Sequence, residues 1–455
     1  MNYTAINPYN DQIVATFPTT TDEQLQSTIK LADEFYQDAS RQATHERMTA
    51  LVALADEFEN DLAYYAHFLT TNMGKLQREA IDEVKKTAAM ARFYGEHGDQ
   101  FLINKDYPSA SAPNSYVEYR PTGVVVAIEP WNFPYTQVMR MFAPNFLLGN
   151  AVILKHASIV PECAQAFQHA CQKVNLPRGA FTNLFADYGQ IDKLIADRRV
   201  QGVALTGSEK AGRIIAASAG KALKQSTMEL GGTDVFIVLK DADIFQAAQA
   251  AAKARLSNAG QVCASAKRYL IADEIYDEFM QQLTAVFATY QPGNPSLVTT
   301  NLAPLSSKNA QAKLQQQVTD VLAGGAKIIW GDAKPIDGPG AFFNPLIITG
   351  MAFDNPMYDT ELFGPVAQVY RIKNDADILK LANTSNHGLG GAIYTQDIEH
   401  AKILAHYIET GQVAINQVLS SQSEIPFGGI KDSGYGRELS DLGILAFANI
   451  KAIIN

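Results

Sequence analysis

Cysteine is almost missing from this chain, with three in 455 residues. Cys163, Cys171 and Cys263 are too few for a disulfide framework, and none has the paired spacing of a zinc or iron–sulfur site. The eight histidines are scattered without an HExxH or similar pair, so no metal site is expected. Basic residues are also in the minority, 37 against 47 acidic for a net charge of −10, which argues against nucleic acid as a main partner. No apolar run reaches the length of a membrane span, and the start Met1-Asn2-Tyr3-Thr4 lacks the basic-then-apolar order of a signal sequence. No membrane partner is expected, and the expected location is cytoplasmic. Tandem repeats, low-complexity segments and long linkers are absent too.

What is present is ordinary globular composition, 47% hydrophobic and 18% charged, in a chain too long for one core; two or more domains are expected. The first hundred residues read mostly as helices. Thr21-Asp22-Glu23 forms an N-terminal cap before an amphipathic run, and a long helical pattern follows from Thr44 to Thr71. Residues 104–120 carry Pro108, Pro113 and an alternating Ser115-Tyr116-Val117-Glu118-Tyr119-Arg120, the pattern of a projecting strand or hairpin. From Thr122 short apolar runs alternate with helical stretches. Strands are expected at 123–128, 151–155 and 202–205, with helices at 135–148, from Pro161 and at 208–221. After Gly232 the alternation restarts, with strands at 234–239, 267–271 and 411–416 and a helix at 243–258. Such alternation implies parallel strands joined by helical crossovers, hence two α/β domains. Cys163 and Cys171 fall on the helix from Pro161, where buried structural thiols are expected.

Chemistry enters with Cys263 in Gly260-Gln261-Val262-Cys263. A thiol attacks as thiolate, which is scarce at its ordinary pKa unless the site lowers that value or a neighbouring base takes the proton. Glu229-Leu230-Gly231-Gly232, 34 residues upstream, supplies a base that can also activate water. Asn132, in Pro130-Trp131-Asn132-Phe133-Pro134, supplies an amide that can hold an oxyanion together with a backbone N–H. This is equipment for chemistry at a carbonyl carbon. Gly207-Ser208-Glu209-Lys210-Ala211-Gly212 follows a strand and opens a helix, a place where a pyrophosphate can meet free N–H groups, although the GxGxxG spacing is missing.

With Glu361-Leu362-Phe363-Gly364-Pro365 and the run from Pro426 to Glu438 (PFGGIKDSGYGRE), these motifs make six in order, and the chain resembles the aldehyde dehydrogenase superfamily over nearly its whole length. The resemblance implies an α/β fold with two Rossmann-like domains and a β oligomerisation arm. The cofactor-binding domain would take residues 1–103 and 123–229, the catalytic domain 230–420, and the arm with the C-terminal tail 104–122 and 421–455. It implies a homodimer or homotetramer. It also implies oxidation of an aldehyde to an acid through a Cys263 thioester, with Asn132 and the Cys263 N–H holding the oxyanion and Glu229 activating the hydrolytic water. Relatives that pass the acyl group to coenzyme A generally lack that glutamate. For the cofactor the resemblance implies Gly207, Ser208 and Gly231 near the phosphates and nicotinamide, Lys155 at the adenine ribose, Glu361 at the nicotinamide ribose, Phe363 at the nicotinamide face and Trp131 beside the channel. Glu129, directly before the Asn132 motif, departs from the uncharged residue most relatives carry, and the sequence gives it no role.

Arg140, ten residues after Pro130, stands where semialdehyde-selective relatives carry arginine. A guanidinium can grip a carboxylate at the far end of the substrate; the alternative is a solvent-exposed helix arginine. A second arginine of some succinate semialdehyde dehydrogenases is here Ser257, so Ser421, with Ser420 and Ser423, is the expected hydroxyl partner. The short chain and Lys155-His156-Ala157-Ser158 look most like the compact succinate semialdehyde dehydrogenase branch. Ser158 replaces the glutamate of NAD-selective relatives, so NADP is the expected cofactor, with NAD also possible and His156 as a further phosphate donor. A broad aliphatic or betaine-type aldehyde dehydrogenase is the alternative within the class, and a catalytically silent binding or structural relative the alternative outside it.

Overall fold

The computed structural model describes residues 3–41, 43–334 and 336–455; Met1 and Asn2, at the start of the N-terminal stretch read above, lie outside them. Among the described residues, three larger β-sheets organise the chain beside two two-stranded ones. The first has six strands in the order Gly434–Tyr435, Gln225–Glu229, Val200–Thr206, Val124–Glu129, Ala151–His156 and Phe181–Asn183. All its pairings are parallel except that of Gly434–Tyr435. The second has seven, running Lys327–Gly331, Leu346–Thr349, Val366–Ile372, Arg268–Ala272, Val235–Val238, Gly390–Tyr394 and Gln412–Ile415. Only its Lys327–Gly331 edge is antiparallel. Strands such as Val124-Val125-Val126-Ala127 and Val235-Phe236-Ile237-Val238 are buried throughout, as parallel strands covered on both faces must be. The third sheet is the projecting arm, where Tyr116–Pro121 pairs antiparallel with Ala448–Ile453 and with Lys105–Asp106.

The first hundred residues are mostly helical as expected, but they open with an unforeseen hairpin, Tyr3–Ile6 with Ile13–Phe17, closed by the turn residues Asn7, Pro8, Asn10 and Asp11 and tied to the first domain by Thr4 N–H donating to Ser158 O at 3.1 Å. Two expectations need correction. The helix expected over 44–71 is two, Thr44–Asn60 and Leu62–Met73. Asp61 leaves helical geometry at φ −137°, ψ 55° and caps the second by accepting from Tyr64 N–H at 3.2 Å. Finally, residues 421–455 do not all belong to the arm. Gly434–Tyr435 joins the first sheet beside Glu229, and Phe427, Leu439, Ile444 and Phe447 lie in the first domain's core, because apolar side chains of this tail have a place there and none along the exposed arm. Among the described residues no helix is long and apolar enough to cross a membrane.

Candidate active site

The site lies between the two sheets, at the carboxyl ends of the first sheet's strands, where open α/β sheets leave a crevice. A cleft of about 460 Å³ there is lined by Trp131, Asn132, Gly207, Ser208, Gly231, Cys263, Glu361 and Phe363. The structure therefore brings together residues of five of the six motifs; the run from Pro426 to Glu438 does not line the cleft. Trp131 and Phe363 meet edge to face across it at 5.8 Å between centroids. Ser208 caps the helix Glu209–Lys221, accepting from Ala211 N–H at 3.3 Å, so that helix presents its N-terminus to the cleft. A larger groove of about 660 Å³, lined by Lys240, Lys373, Asp375 and His400, holds none of the motif residues.

The backbone before the nucleophile is strained. Asn258, Ala259 and Gly260 all have positive φ, 51°, 52° and 76°, of which only the last is conformationally cheap. A side chain on Gly260 would collide with the Gly364 carbonyl. Several hydrogen bonds hold the turn. The fully buried Arg255 donates to the Gly260 and Ala266 carbonyls, Asn258 N–H donates to Glu79 at 3.0 Å, and the Asn258 amide donates to Asn132 O at 3.0 Å. Lys75, paired with Glu83 in the interior, also donates to Asn132 O at 2.8 Å. The Asn132 amide itself donates to Gln261 O at 3.0 Å, and Gln137 donates to its oxygen at 3.2 Å. The amide is thus fixed by the loop it would serve.

Cys263 is half-buried. Burial outweighs the nearby Arg140 and Lys267 cations and pushes its thiol up to about 11. Only a fraction on the order of 10⁻⁴ would be thiolate near neutrality, so attack requires a base or a change of surroundings on binding. Lys267 donates to the Cys263 carbonyl and to Val262 O at 3.0 Å, and pairs with Glu361 at 2.8 Å. Glu361 also accepts from Gly232 N–H at 3.3 Å, and its carboxylate packs on Gly231 so closely that a side chain there would have to push it aside. Glu229 ends its strand fully enclosed, and neither of its carboxyl oxygens has a partner. Burial and the Glu438 charge raise its pKa well above the carboxylate range, against the pull of Arg140. A buried carboxyl with raised pKa is suited to taking protons.

Arg140 is not solvent-exposed. It is buried at 6% exposure on the helix Pro134–Leu148, bonded to Glu438 at 2.9 Å, stacked over Phe427 at 4.4 Å, and its Nε has no partner. Its charge is already matched by a carboxylate of the protein. Lys86, half-buried on the helix Gln77–His97, makes no ion pair among the described residues; burial and Arg140 pull its pKa down to about 8, and Cys263 is among the groups it feels. Ser421 is half-buried in the loop after Gln412–Ile415 and has no hydrogen bond to Arg140. Lys155 is buried with its ammonium 5.8 Å from the Tyr188 ring and 6.0 Å from that of Tyr3, and it makes no ion pair among the described residues. Ser158 follows in the loop, half-buried. His156 cannot assist it: its Nε2 is on Pro134 O at 3.0 Å, its Nδ1 accepts Ala157 N–H at 2.9 Å, and burial lowers its pKa to about 4. The expected phosphate donor is thereby spent. Lys75, Lys86, Arg255 and Lys267 carry no signal in sequence, since each is a lone basic residue whose role depends on contacts across the fold. Glu438 stood in a quoted motif without a role.

A thiol on a strained turn, an amide and a buried carboxyl around it, and a helix N-terminus across the same cleft define an oxidoreductase-like site between two α/β domains. The chain belongs to the aldehyde dehydrogenase family, whose model matches residues 1–453. It is 42% identical to a succinate-semialdehyde dehydrogenase [NADP(+)] of Deinococcus radiodurans over 99% of this chain and 94% of the relative. A probable succinate-semialdehyde dehydrogenase [NADP(+)] of Synechocystis is 39% identical over 100% of this chain and 99% of the relative. Among solved structures, a succinic semialdehyde dehydrogenase of Streptococcus pyogenes, in complex with NADP+, matches with a TM-score of 0.98 at 44% identity, covering 100% of this chain and 99% of that one.

Proposed function

We propose that this protein oxidises succinate semialdehyde to succinate with NADP. The observation that carries the reading is that Cys263 and Asn132 line one cleft while the buried Arg140 and Glu229 are among the charged groups acting on the thiol. The named relatives, full-length and NADP-dependent by name, support it. Cys263 is the nucleophile, and Asn132 Nδ2 with the Cys263 N–H receives the oxyanion. Glu229 takes the thiol proton and later a proton from the hydrolytic water. The cleft residues suit a dinucleotide: Ser208 and Gly207 at the helix N-terminus for phosphate, Glu361 for the nicotinamide ribose, Gly231 for close approach, Phe363 and Trp131 for the ring. The nicotinamide, when bound, supplies the hydride acceptor. Lys155, in no ion pair among the described residues, and Ser158 leave room and charge for a 2′-phosphate.

Arg140, with Ser421, is assigned to the substrate carboxylate. Because Glu438 already neutralises it, the unpaired Lys86 supplies the remaining positive field for an anionic aldehyde. The unpaired strand edges at Lys105–Asp106 and Gln412–Ile415 support assembly into a homodimer or homotetramer. The test is a panel of succinate semialdehyde, glutarate semialdehyde, hexanal and benzaldehyde with NADP and NAD. Succinate semialdehyde with NADP should give the highest kcat/KM. Preference for hexanal would favour the broad aliphatic reading, and no nicotinamide reduction by any aldehyde would leave a silent relative.

A further inference from the structure

Glu129 is buried at 2% exposure, neither carboxyl oxygen meets full hydrogen-bond geometry with a partner, and the Thr206 hydroxyl is the polar side chain beside it. Its strand pairs in parallel with Val200–Thr206, Ile128 opposite Leu205, so Glu129 falls opposite Thr206. Thr206 in turn lies opposite Glu229. Register partners in parallel strands project to the same face, which sets Glu129, Thr206 and Glu229 in one row across three neighbouring strand ends. The Thr206 hydroxyl and Arg140 are both among the groups acting on Glu129. On its other side the register partner is His156, whose two nitrogens are spent on Pro134 O and Ala157 N–H. From the helix Pro134–Leu148 comes Arg140 and from the segment after Tyr435 comes Glu438, ion-paired to each other; Arg437 faces Glu229. Three enclosed carboxyls therefore feel the Arg140 guanidinium, which Glu438 already holds, and only Glu229 feels Arg437 as well. Enclosed carboxyls this close around so little positive charge cannot all ionise, so protons are shared among them.

The reaction proposed above makes Glu229 collect a proton twice, first from the Cys263 thiol and then from water, within one closed site. We propose that Glu129 is a proton-accepting partner of Glu229, relieving it of the first proton through the Thr206 hydroxyl before water is activated. This rests on the thioester reading. In acylation the sulfur–carbon bond forms as the thiol proton passes to Glu229, and hydride loss to the oxidised nicotinamide leaves the thioester. Glu229 then hands its proton to the Thr206 oxygen while the Thr206 proton moves to Glu129, so the hydroxyl ends unchanged. In hydrolysis a water oxygen bonds to the acyl carbon, one water proton goes to Glu229, and the carbon–sulfur bond breaks with its electron pair returning to sulfur. The thiolate recovers one proton from the pair; the other, with the proton of the product acid, leaves to solvent. Glu129 is thus a positioning residue for a proton and touches no reacting atom.

The test is stopped-flow nicotinamide absorbance on the full-length Glu129→Gln and Thr206→Val variants with succinate semialdehyde and NADP across pH. Both should give a stoichiometric burst of reduced nicotinamide followed by a steady state slowed at least about tenfold, with the slow phase recovering as pH rises or as a small buffer base is added. Steady state and pH profile equal to wild type in either variant would overturn the relay. So would loss of burst and steady state together, which a structural role would produce. The wild-type arm separates the claims: no reduced nicotinamide there removes the aldehyde reading itself, whereas wild-type turnover with an unaffected Glu129→Gln removes Glu129 alone.

Discussion

Arg140→Leu tests substrate selection and stability at once, and the two effects can be sized from its contacts. The guanidinium is bonded to Glu438 at 2.9 Å, with both side chains nearly inaccessible. Removing it leaves Glu438 buried and unpaired, and breaking such a pair from one side costs about 3–5 kcal/mol. The loss of packing over Phe427 adds to this, so denaturant midpoints should fall clearly below wild type. If the same guanidinium also grips the distal carboxylate, kcat/KM for succinate semialdehyde should drop by a factor of about 10 to 100, the worth of one charge-assisted contact of about 1.5–3 kcal/mol. Hexanal, which has no carboxylate, should keep most of its kcat/KM when assayed on protein that is still folded. Arg140→Lys should fall between, because it keeps the charge and loses the planar fork. The assays are urea unfolding followed by fluorescence and initial rates on both aldehydes at a temperature below either transition. Equal proportional losses on the two substrates would refute the carboxylate role, leaving Arg140 as the counter-ion of Glu438. Unchanged stability would refute the buried pair.

Ser158→Glu should lower the NADP to NAD ratio of kcat/KM by at least about tenfold, since a carboxylate beside the 2′-phosphate restores like-charge repulsion; an unchanged ratio would move the phosphate elsewhere. Because burial pushes the Cys263 thiol up to about 11, thiolate appears only as pH rises. Alkylation of the cofactor-free enzyme should therefore accelerate about tenfold per pH unit between pH 7 and 9, and a plateau below pH 8 would contradict that environment. Gly231→Ala should displace the Glu361 carboxylate, which a Cβ there would meet, and raise the cofactor KM more than it lowers stability; kinetics matching wild type would show that Glu361 does not need that position.

Much of this was legible in the sequence because the signals were local. Apolar runs such as Val124 to Ile128, separated by helix caps such as Thr21 and Ser208, mark the α/β alternation directly. The break at Asp61 was passed over because the apolar pattern runs on across it from Phe58 to Leu62 and Tyr65, although Asp favours caps over helix interiors and here it caps the second helix. The hairpin at Tyr3–Phe17 was missed because its strands are only four and five residues long and the outer one, Ile13–Phe17, is largely exposed although Ile13, Ala15 and Phe17 share a face. In the site, motif residues that line one cleft could be grouped because each motif has a characteristic composition. The partners of Arg140 could not, since Glu438 lies 298 residues away and nothing in spacing links them. His156 shows the reverse error: a histidine next to Lys155 suggested a phosphate donor, but its strand position turns the ring inward.

The central claim is that turnover passes through an acyl group on Cys263, freed by Glu229. The most direct measurement is mass analysis of Glu229→Gln after quenching with succinate semialdehyde and NADP, followed by mapping of the modified peptide. The account predicts a succinyl adduct confined to the peptide containing Cys263, absent without NADP and absent in a Cys263→Ala background, which should itself show no turnover. An unmodified Cys263 peptide in a variant that still reduces NADP, or full turnover by Cys263→Ala, would contradict it.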